Sequence, residues 1–309
     1  MKRVLVIIVT YNGMRWLDRC LSSVCTGGKS AQNPSEGPEN ARVDGKSAQN
    51  PSVDVFVVDN DSTDGSADWI QGHFPAVKLV RSAENLGFTK ANNLGFEWAL
   101  SHGYDYVYLL NQDAWLAPGA LETLVAEAEA HPEYAVLSPL QMTDGYKAYD
   151  AQFGKIYNAG GNAPVVQVGR VMAAHWLVKV EALRVIGMFS DIFPYYGQDD
   201  DWCNRARYHG WKIGIVPEAK AVHDRAARKE AKDRIIDRNY RVGSLVRLCD
   251  INRPLWERFL FVILFTLVKT VKYFSIKPVK DFIGICKILP DLVYLRVIYK
   301  KNYGSSRHT

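Results

Sequence analysis

The stretch Tyr106-Val-Tyr-Leu-Leu-Asn111-Gln-Asp113-Ala-Trp115 restricts the fold more than any other part of the chain. Five apolar or aromatic residues run unbroken into Asn-Gln-Asp. A short apolar run ending in polar residues predicts a strand buried on both faces, as in a parallel sheet. Ligands of open α/β sheets sit beyond the carboxyl ends of such strands. Asp113 is therefore expected at the edge of a cleft. A carboxylate there can hold Mg²⁺ or Mn²⁺, hard ions that take oxygen ligands and commonly bridge to phosphates. The plain structural alternative is a polar strand end, or a cap for the helix expected from Pro118.

The flanking sequence repeats this strand-turn-helix pattern. Val4 to Val9 reads as a first strand, Thr10-Tyr11-Asn12-Gly13 as its turn, and Trp16, Leu17, Cys20, Leu21 and Val24 recur at helical spacing. Val53 to Val58 is a second strand, running into Asp59-Asn60-Asp61-Ser62-Thr63-Asp64-Gly65-Ser66. Ser, Thr and Asp favour helix N-caps, so a helix through Trp69 and Ile70 is expected there. Val77 to Val80 is a third strand, Glu84 to Phe88 a turn, and Ala91, Leu94, Gly95, Trp98 and Ala99 one helix face. The helix from Pro118 should stop at His131-Pro132. Strands alternating with helices predict βαβ units and a mostly parallel sheet flanked by helices. The second half is less regular. Tyr134 to Ser138 and Gln167 to Val180 look extended, and Glu181 to Ile186 is a short helix. A helix is expected from about Asp200 to Tyr208 and a strand from Trp211 to Val216, with His223 a few residues beyond.

One segment interrupts the pattern. Gly28-Lys-Ser-Ala-Gln-Asn-Pro-Ser35 returns letter for letter as Gly45 to Ser52. Its Gly, Ser, Asn, Pro and Gln cannot bury a core. Residues 26–52 therefore read as a duplicated, mobile loop insertion, which costs little because closure entropy grows slowly with loop length.

Charge separates the body from the tail. The net charge of +5 is concentrated after Ile251, where 11 Lys and Arg face 3 Asp and Glu. Five scattered cysteines, Cys20, Cys25, Cys203, Cys249 and Cys286, make no CxxC, which fits reduced thiols in the cytosol. The apolar run after Met1-Lys-Arg is too short for a signal segment. After Pro254, the run from Phe259 to Val268 is also too short for a membrane span, which needs about 20 apolar residues. The tail reads either as a helical lobe packed on the core or on a second copy, or as a basic interfacial element on an anionic cytoplasmic membrane. The membrane reading is preferred. Its apolar content argues against nucleic-acid binding.

Three acidic places stand out: Asp59, Asp113 and the run Asp199-Asp200-Asp201. Adjacent carboxylates repel unless a cation or a helix N-terminus sits among them. Helix capping explains the run by itself. Beside Asp113 and a later His223, a metal and a general base compete with that account. No GxxxxGK[ST] or GxGxxG is present, so P-loop and dinucleotide readings lack their motif.

Together these residues resemble a family 2 glycosyltransferase of the inverting GT-A type, close to its rhamnosyltransferase-like branch. The resemblance rests on Val6-Ile-Ile-Val-Thr10-Tyr-Asn12, Val57-Val-Asp59-Asn60 through Ser66, Glu84-Asn85-Leu-Gly through Gly95, Leu110-Asn111-Gln-Asp113, and Tyr196-Gly-Gln-Asp199-Asp-Asp201-Trp-Cys203. Val216-Pro217 and Val222-His223 complete it, over about residues 1 to 225. The resemblance implies a GT-A nucleotide-sugar-binding and catalytic domain over 1–225 and a basic, apolar helical extension over 226–309. It implies that Thr10, Tyr11 and Asn12 line the nucleotide pocket, that Asp59 meets the base or ribose, and that Asn85 shapes the same pocket. Asn111-Gln112-Asp113 stands in the place of the family's DxD, with Asp113 on the metal and His223 completing its site. Asp199 matches the catalytic base. Asp201 matches a second acid, expected to cap the helix or bind acceptor, and Asp200 is expected to face solvent. Two departures are visible: Asn111 replaces the first Asp of the DxD, and Gln198 replaces the usual Glu.

The implied reaction is metal-dependent transfer, with Mn²⁺ or Mg²⁺, from dTDP-rhamnose or a UDP-hexose to a glycan or lipid-linked acceptor in cell-surface polysaccharide biosynthesis. The expected place is the cytoplasm, peripheral to the inner face of the cell membrane. The rival is a non-catalytic nucleotide-sugar-binding or assembly protein, favoured by Asn111 and Gln198. A nucleotidyltransferase lacks its Gly-rich, Arg/Lys-bearing loop after the first strand.

Overall fold

The computed structural model describes residues 1–25, 50–150, 153–157, 163–224 and 232–301. The duplicated insertion therefore lies outside the described residues as far as 49, as does the domain boundary expected at 225/226.

The first half follows its sequence pattern. Strand β1 (Arg3–Thr10) leads to helix α1 (Met14–Cys25), β2 (Ser52–Asp59) to α2 (Ser66–His73), and β3 (Lys78–Arg81) to α3 (Gly87–Ser101). Strand β4 (Tyr106–Asn111), a short β5 (Ala114–Leu116) and α4 (Ala120–Ala130) follow. Strands β1, β2, β3 and β4 are parallel in the order β3-β2-β1-β4. Both faces of this sheet are covered, which explains the unbroken apolar runs. Leu5, Ile7, Val107 and Leu109 enter one core, while Val4, Val6, Ile8, Tyr106, Tyr108 and Leu110 enter the other.

The sheet then changes direction. Strands β6 (Tyr134–Met142), β7 (Val166–Val168) and β8 (His175–Lys179) precede helices α5 (Val180–Ile186) and α6 (Gln198–Tyr208), and β9 (Lys212–His223) closes the set. Strand β8 is antiparallel to both β4 and β6, β9 is parallel to β6, and β5 is antiparallel to β9. The mixed sheet thus has a parallel β1–β4 half and a half in which β6 pairs along one edge of β9 while β7 and β5 share its other edge.

Several boundaries differ from the sequence reading. Strand β9 continues through Pro217 to His223, where the sequence ends it at Val216. A register shift against β6 between Pro139 and Leu140 accommodates Pro217 to Ala219, so the proline does not terminate pairing. Helix α6 begins two residues early, which places Asp199 in its first turn rather than before it. The N-cap of α2 is Gly65 in the left-handed region, not a Ser or Asp side chain.

Four helices follow: α7 (Lys232–Cys249), α8 (Leu255–Tyr273), α9 (Lys277–Lys287) and α10 (Leu289–Lys300). They have their own small core of Leu245, Leu248, Val262, Ile285 and Leu292, and Phe193 from the segment before α6 is part of it. No helix of the described residues is long and apolar enough to cross a membrane. Helix α8 nonetheless leaves Trp256, Leu260, Leu264, Leu267, Val268 and Val271 exposed.

Candidate active site

The order β3-β2-β1-β4 reverses direction beside β1, and ligands of open α/β sheets bind at such a point, in a crevice beyond the carboxyl ends of the strands, here those of β1 and β4. Register fixes what meets there. Thr10 lies opposite Asp59, and Val9 opposite Asn111. Gln112, whose role the sequence reading missed, ties these ends together. Its Oε1 accepts from Thr10 Oγ1 and from the Tyr11 amide, each at 2.8 Å, and its Nε2 donates to the Tyr11 carbonyl. Only its position between Asn111 and Asp113 could have signalled it.

Asn12 serves the turn after β2. It has a positive φ of 49°, its amide donates to Ser62 Oγ, and its Oδ1 accepts from the Thr63 amide at 2.9 Å. Asp59 is buried. Its Oδ1 accepts from the Ser62 amide, whereas its Oδ2 has no hydrogen-bond partner among the described residues. A buried carboxylate oxygen in that state is costly unless a ligand donates to it. Asn60 Nδ2 donates to Asn85 Oδ1 at 3.0 Å, and the Gly87 amide donates to the same oxygen. Asn85 is thereby held at the rim that shapes this end of the crevice.

The β5–β9 pairing sets Ala114 opposite His223 and brings Asp113 to that histidine. Asp113 Oδ1 lies 3.4 Å from His223 Nε2, and both side chains are buried. His175, also missed because a lone His in an extended stretch carries no motif, lies beneath them. The Val222 carbonyl can only accept, so His175 Nε2 carries the hydrogen and Nδ1 accepts from the Tyr108 hydroxyl. Burial first, and the nearby His223, push its pKa down to about 3, which keeps it neutral. Among the described residues no three His, Cys, Asp or Glu side chains group as a metal cage. One carboxylate and one imidazole do fit Mn²⁺ or Mg²⁺ whose remaining ligands are water and phosphate oxygens.

The third acidic place separates into three environments. Asp199 is half-buried. Its Oδ1 accepts from the Asp200 amide at 2.9 Å, and the Ala173 backbone lies near enough to favour its charged form. Burial, then the charge of Asp200, raise its pKa to about 6. Ala174 accepts from the Asn111 amide, so the Ala173-Ala174 backbone links Asp199 to the end of β4. Asp200, expected to face solvent, is partly exposed and pairs at the surface with Arg170 Nη1 at 2.8 and 2.9 Å. Asp201, expected at acceptor or cap, is corrected outright: it is buried against Arg205 Nε at 2.9 Å. Arg205 also donates to the Ile186 and Met188 carbonyls, so this pair holds α6 to the core. Gln198 is buried with its Oε1 unpartnered among the described residues.

The structure therefore gathers Thr10, Tyr11, Asp59, Asn85, Asn111, Asp113 and His223 at one end of the sheet, connects Asp199 to it, uses Asn12 as a turn anchor, and removes Asp201. The loop before α6 touches this end too: Thr89 donates through its amide to Pro194 and through its hydroxyl to Phe193.

The chain is similar to several known proteins. A model of the family described as "Glycosyl transferase family 2" matches residues 5–153. An undecaprenyl-phosphate mannosyltransferase of Micrococcus luteus is 33% identical over 53% of this chain and 70% of its own. An N-acetylglucosaminyl-diphospho-decaprenol L-rhamnosyltransferase of Mycobacterium tuberculosis is 27% identical over 56% of this chain and 67% of its own. In fold, the chain is similar to the mannosyltransferase PcManGT of Pyrobaculum calidifontis in complex with GDP-Man and Mn²⁺. The TM-score is 0.55 at 19% identity, covering 82% of this chain and 66% of that one.

Proposed function

The chain belongs to glycosyl transferase family 2, and on that premise we propose that it moves a sugar, with inversion, from dTDP-rhamnose or a UDP-hexose to a hydroxyl of a growing, lipid-linked cell-surface glycan. The observation that carries this reading is the convergence of Asp59, the Asp113–His223 pair and Asp199 on the carboxyl end of β1, β2 and β4. The two curated relatives are named for polyprenyl-phosphate substrates, which supports the lipid-linked acceptor.

Each residue has a chemical task in this reading. Asp59 Oδ2 accepts from the base or ribose of the donor, and Thr10, Tyr11 and Asn85 wall the same pocket. Asp113 and His223 are the pair suited to Mn²⁺ or Mg²⁺. Such an ion, when bound, offsets the charge that develops on the departing diphosphate. Asp199 takes the proton from the acceptor hydroxyl. With a pKa near 6 it is ionised at neutral pH yet keeps useful basicity. Single displacement with one base needs no covalent nucleophile on the protein.

Residues 1–225 carry this chemistry in our reading, and the helices after them face the acceptor. The exposed apolar side of α8, with exposed Lys272, Lys277 and Lys280 close by, suits an anionic cytoplasmic membrane surface. A second reading, a non-catalytic nucleotide-sugar-binding protein, is favoured by one observation: the carboxylate count at the metal pair is one, because Asn111 stands in the other DxD position. One experiment separates them. The chain is incubated with dTDP-rhamnose and UDP-hexoses in Mn²⁺, and release of nucleoside diphosphate is followed with and without chelator. Chelator-sensitive release supports the enzyme. Binding without release from every donor supports the second reading.

A further inference from the structure

A cavity of about 550 Å³ lies between α6 and α7, outside the crevice described above. Arg170, Arg207 and Arg247 line it, together with Asp200 and Asp250. Both carboxylates are already engaged: Asp200 by Arg170, and Asp250 by Arg258. Arg207 and Arg247 form no ion pair among the described residues. Arg207 donates to Asn204 Oδ1, and Arg247 to the Gly243 carbonyl within its own helix. Arg247 is half-buried and lies over the Phe261 and Phe265 rings of α8, at 4.8 and 5.4 Å from their centroids. Burial first, then the charge of Arg258, lower its pKa, with Asp200 opposing and Arg170 adding to the shift.

We propose that this cavity binds the diphosphate of a prenyl-linked acceptor and so sets the acceptor beside Asp199. The proposal deepens the transferase reading and rests on it for the identity of the acceptor. Guanidinium groups offer planar forks of donors that match phosphate oxygens, and the volume is that of an ordinary small-ligand site. Position argues for the acceptor over the donor. The wall of the cavity includes Asp200, next to the base, whereas the donor's diphosphate belongs at Asp113 and His223 in the crevice. Arg247 also sits against the helix whose exposed Leu260, Leu264 and Leu267 offer an apolar track for a prenyl chain.

The test uses the full chain, without nucleotide and with chelator, so that the donor site contributes nothing. Inorganic pyrophosphate, farnesyl diphosphate and phosphatidylglycerol vesicles are titrated separately. Farnesyl diphosphate is expected to bind more tightly than pyrophosphate. Arg247→Gln should weaken both by about tenfold or more, the scale of a charge-assisted contact. Arg207→Gln, at an exposed position that the fold does not need, should weaken them several-fold, and Arg247→Lys should restore part of the loss. Unchanged affinity in both Gln variants overturns the site. Binding to the vesicles alone overturns it in favour of a lipid headgroup. Equal affinity for pyrophosphate and farnesyl diphosphate overturns the prenyl source. Because these titrations involve no sugar donor, an arginine-dependent site for farnesyl diphosphate in a protein that fails to release nucleoside diphosphate would sink the transferase reading, and with it the acceptor role, while the prenyl diphosphate site itself would stand.

Discussion

The two sides of the crevice are built by different means. On the proposed donor side, Thr10, Asp59 and Asn111 stand at the ends of adjacent parallel strands, and their relative places follow from backbone register. On the proposed acceptor side, Asp199 sits on a helix whose place depends on packing. The Asp201–Arg205 pair anchors that helix inward, and Val242 and Val246 of α7 press on the turn that starts it. Register is a property of neighbouring strands, so Thr10, Asp59 and Asn111 can take their places from the β1–β4 sheet alone, whereas the Asp113–His223 pair waits for β9. The acceptor side needs the C-terminal helices in position.

The largest expected effect tests whether the two sides do separate jobs. Asp199→Asn should lower transfer by about 10²- to 10⁴-fold, the range that general base catalysis supplies. Donor affinity, measured by titration calorimetry, should hardly move. Loss of donor binding in this variant would erase the distinction between the sides.

Asp113→Ala should do the reverse. Metal-supported donor affinity is expected to fall by about 10²-fold or more, at or beyond the upper end seen when supporting residues of metal sites are removed. The melting temperature in chelator should stay close to that of the parent. Full Mn²⁺-dependent donor binding in Asp113→Ala would place the ion elsewhere.

An intermediate effect concerns pH. In the proposed mechanism Asp199, with a pKa near 6, loses its competence as a base as it protonates, so transfer should decline as pH falls below about 6, reaching about a tenfold loss one unit lower. Stability moves the other way for this group. Its folded pKa is raised above the unfolded value, so the folded state binds the proton more readily, and lowering pH through that window favours folding. Asp199→Asn should therefore flatten the pH profile and leave the protein at least as stable in thermal melts at pH 7.

The smallest effect on turnover compares two glycines with nearly the same backbone. Gly65 has φ 86° and Gly197 φ 89°, and each precedes a helix. A Cβ at Gly65 would meet nothing within 4 Å, whereas at Gly197 it would lie 2.7 Å from Val242 and 3.0 Å from Val246. Gly65→Ala should cost about 1 kcal/mol, the strain of a left-handed Ala. Gly197→Ala adds overpacking to that strain and should cost about 2–4 kcal/mol, with a severalfold lower turnover as the first turn of α6 shifts. Equal melting temperatures for the two variants would show that α7 does not hold that turn.

The same contrast explains what was legible in the sequence. Strands buried on both faces announce themselves as apolar runs, so β1, β2 and β4 and their terminal Thr10, Asp59 and Asn111 could be read directly. Asp113 was readable as a cleft carboxylate, but its approach to His223 came only through the family resemblance, because Pro217 hides the continuation of β9 from local pattern. The three aspartates of α6 look alike in the sequence. What separates them is the Ala173 backbone near Asp199, Arg170 at Asp200 and Arg205 at Asp201, all supplied by tertiary structure or by helical spacing from the other side. The resemblance carried over Asp199 but could not show that Asp201 is sequestered. Gln112 and His175 matter through hydrogen bonds to distant backbone and hydroxyl groups, which no local pattern reveals.

The pairing of β5 with β9 also has a kinetic meaning. Asp113 and His223 are separated by about a third of the chain, and they meet only when the last strand docks beside a three-residue partner. Contacts this far apart must overcome loop-closure entropy before they return any stabilisation, so they form late. Uptake of Mn²⁺ during refolding would then lag behind recovery of helix and sheet signals. An ion that binds the finished pair would slow unfolding more than it speeds folding, making metal capture a clock for the final step of assembly.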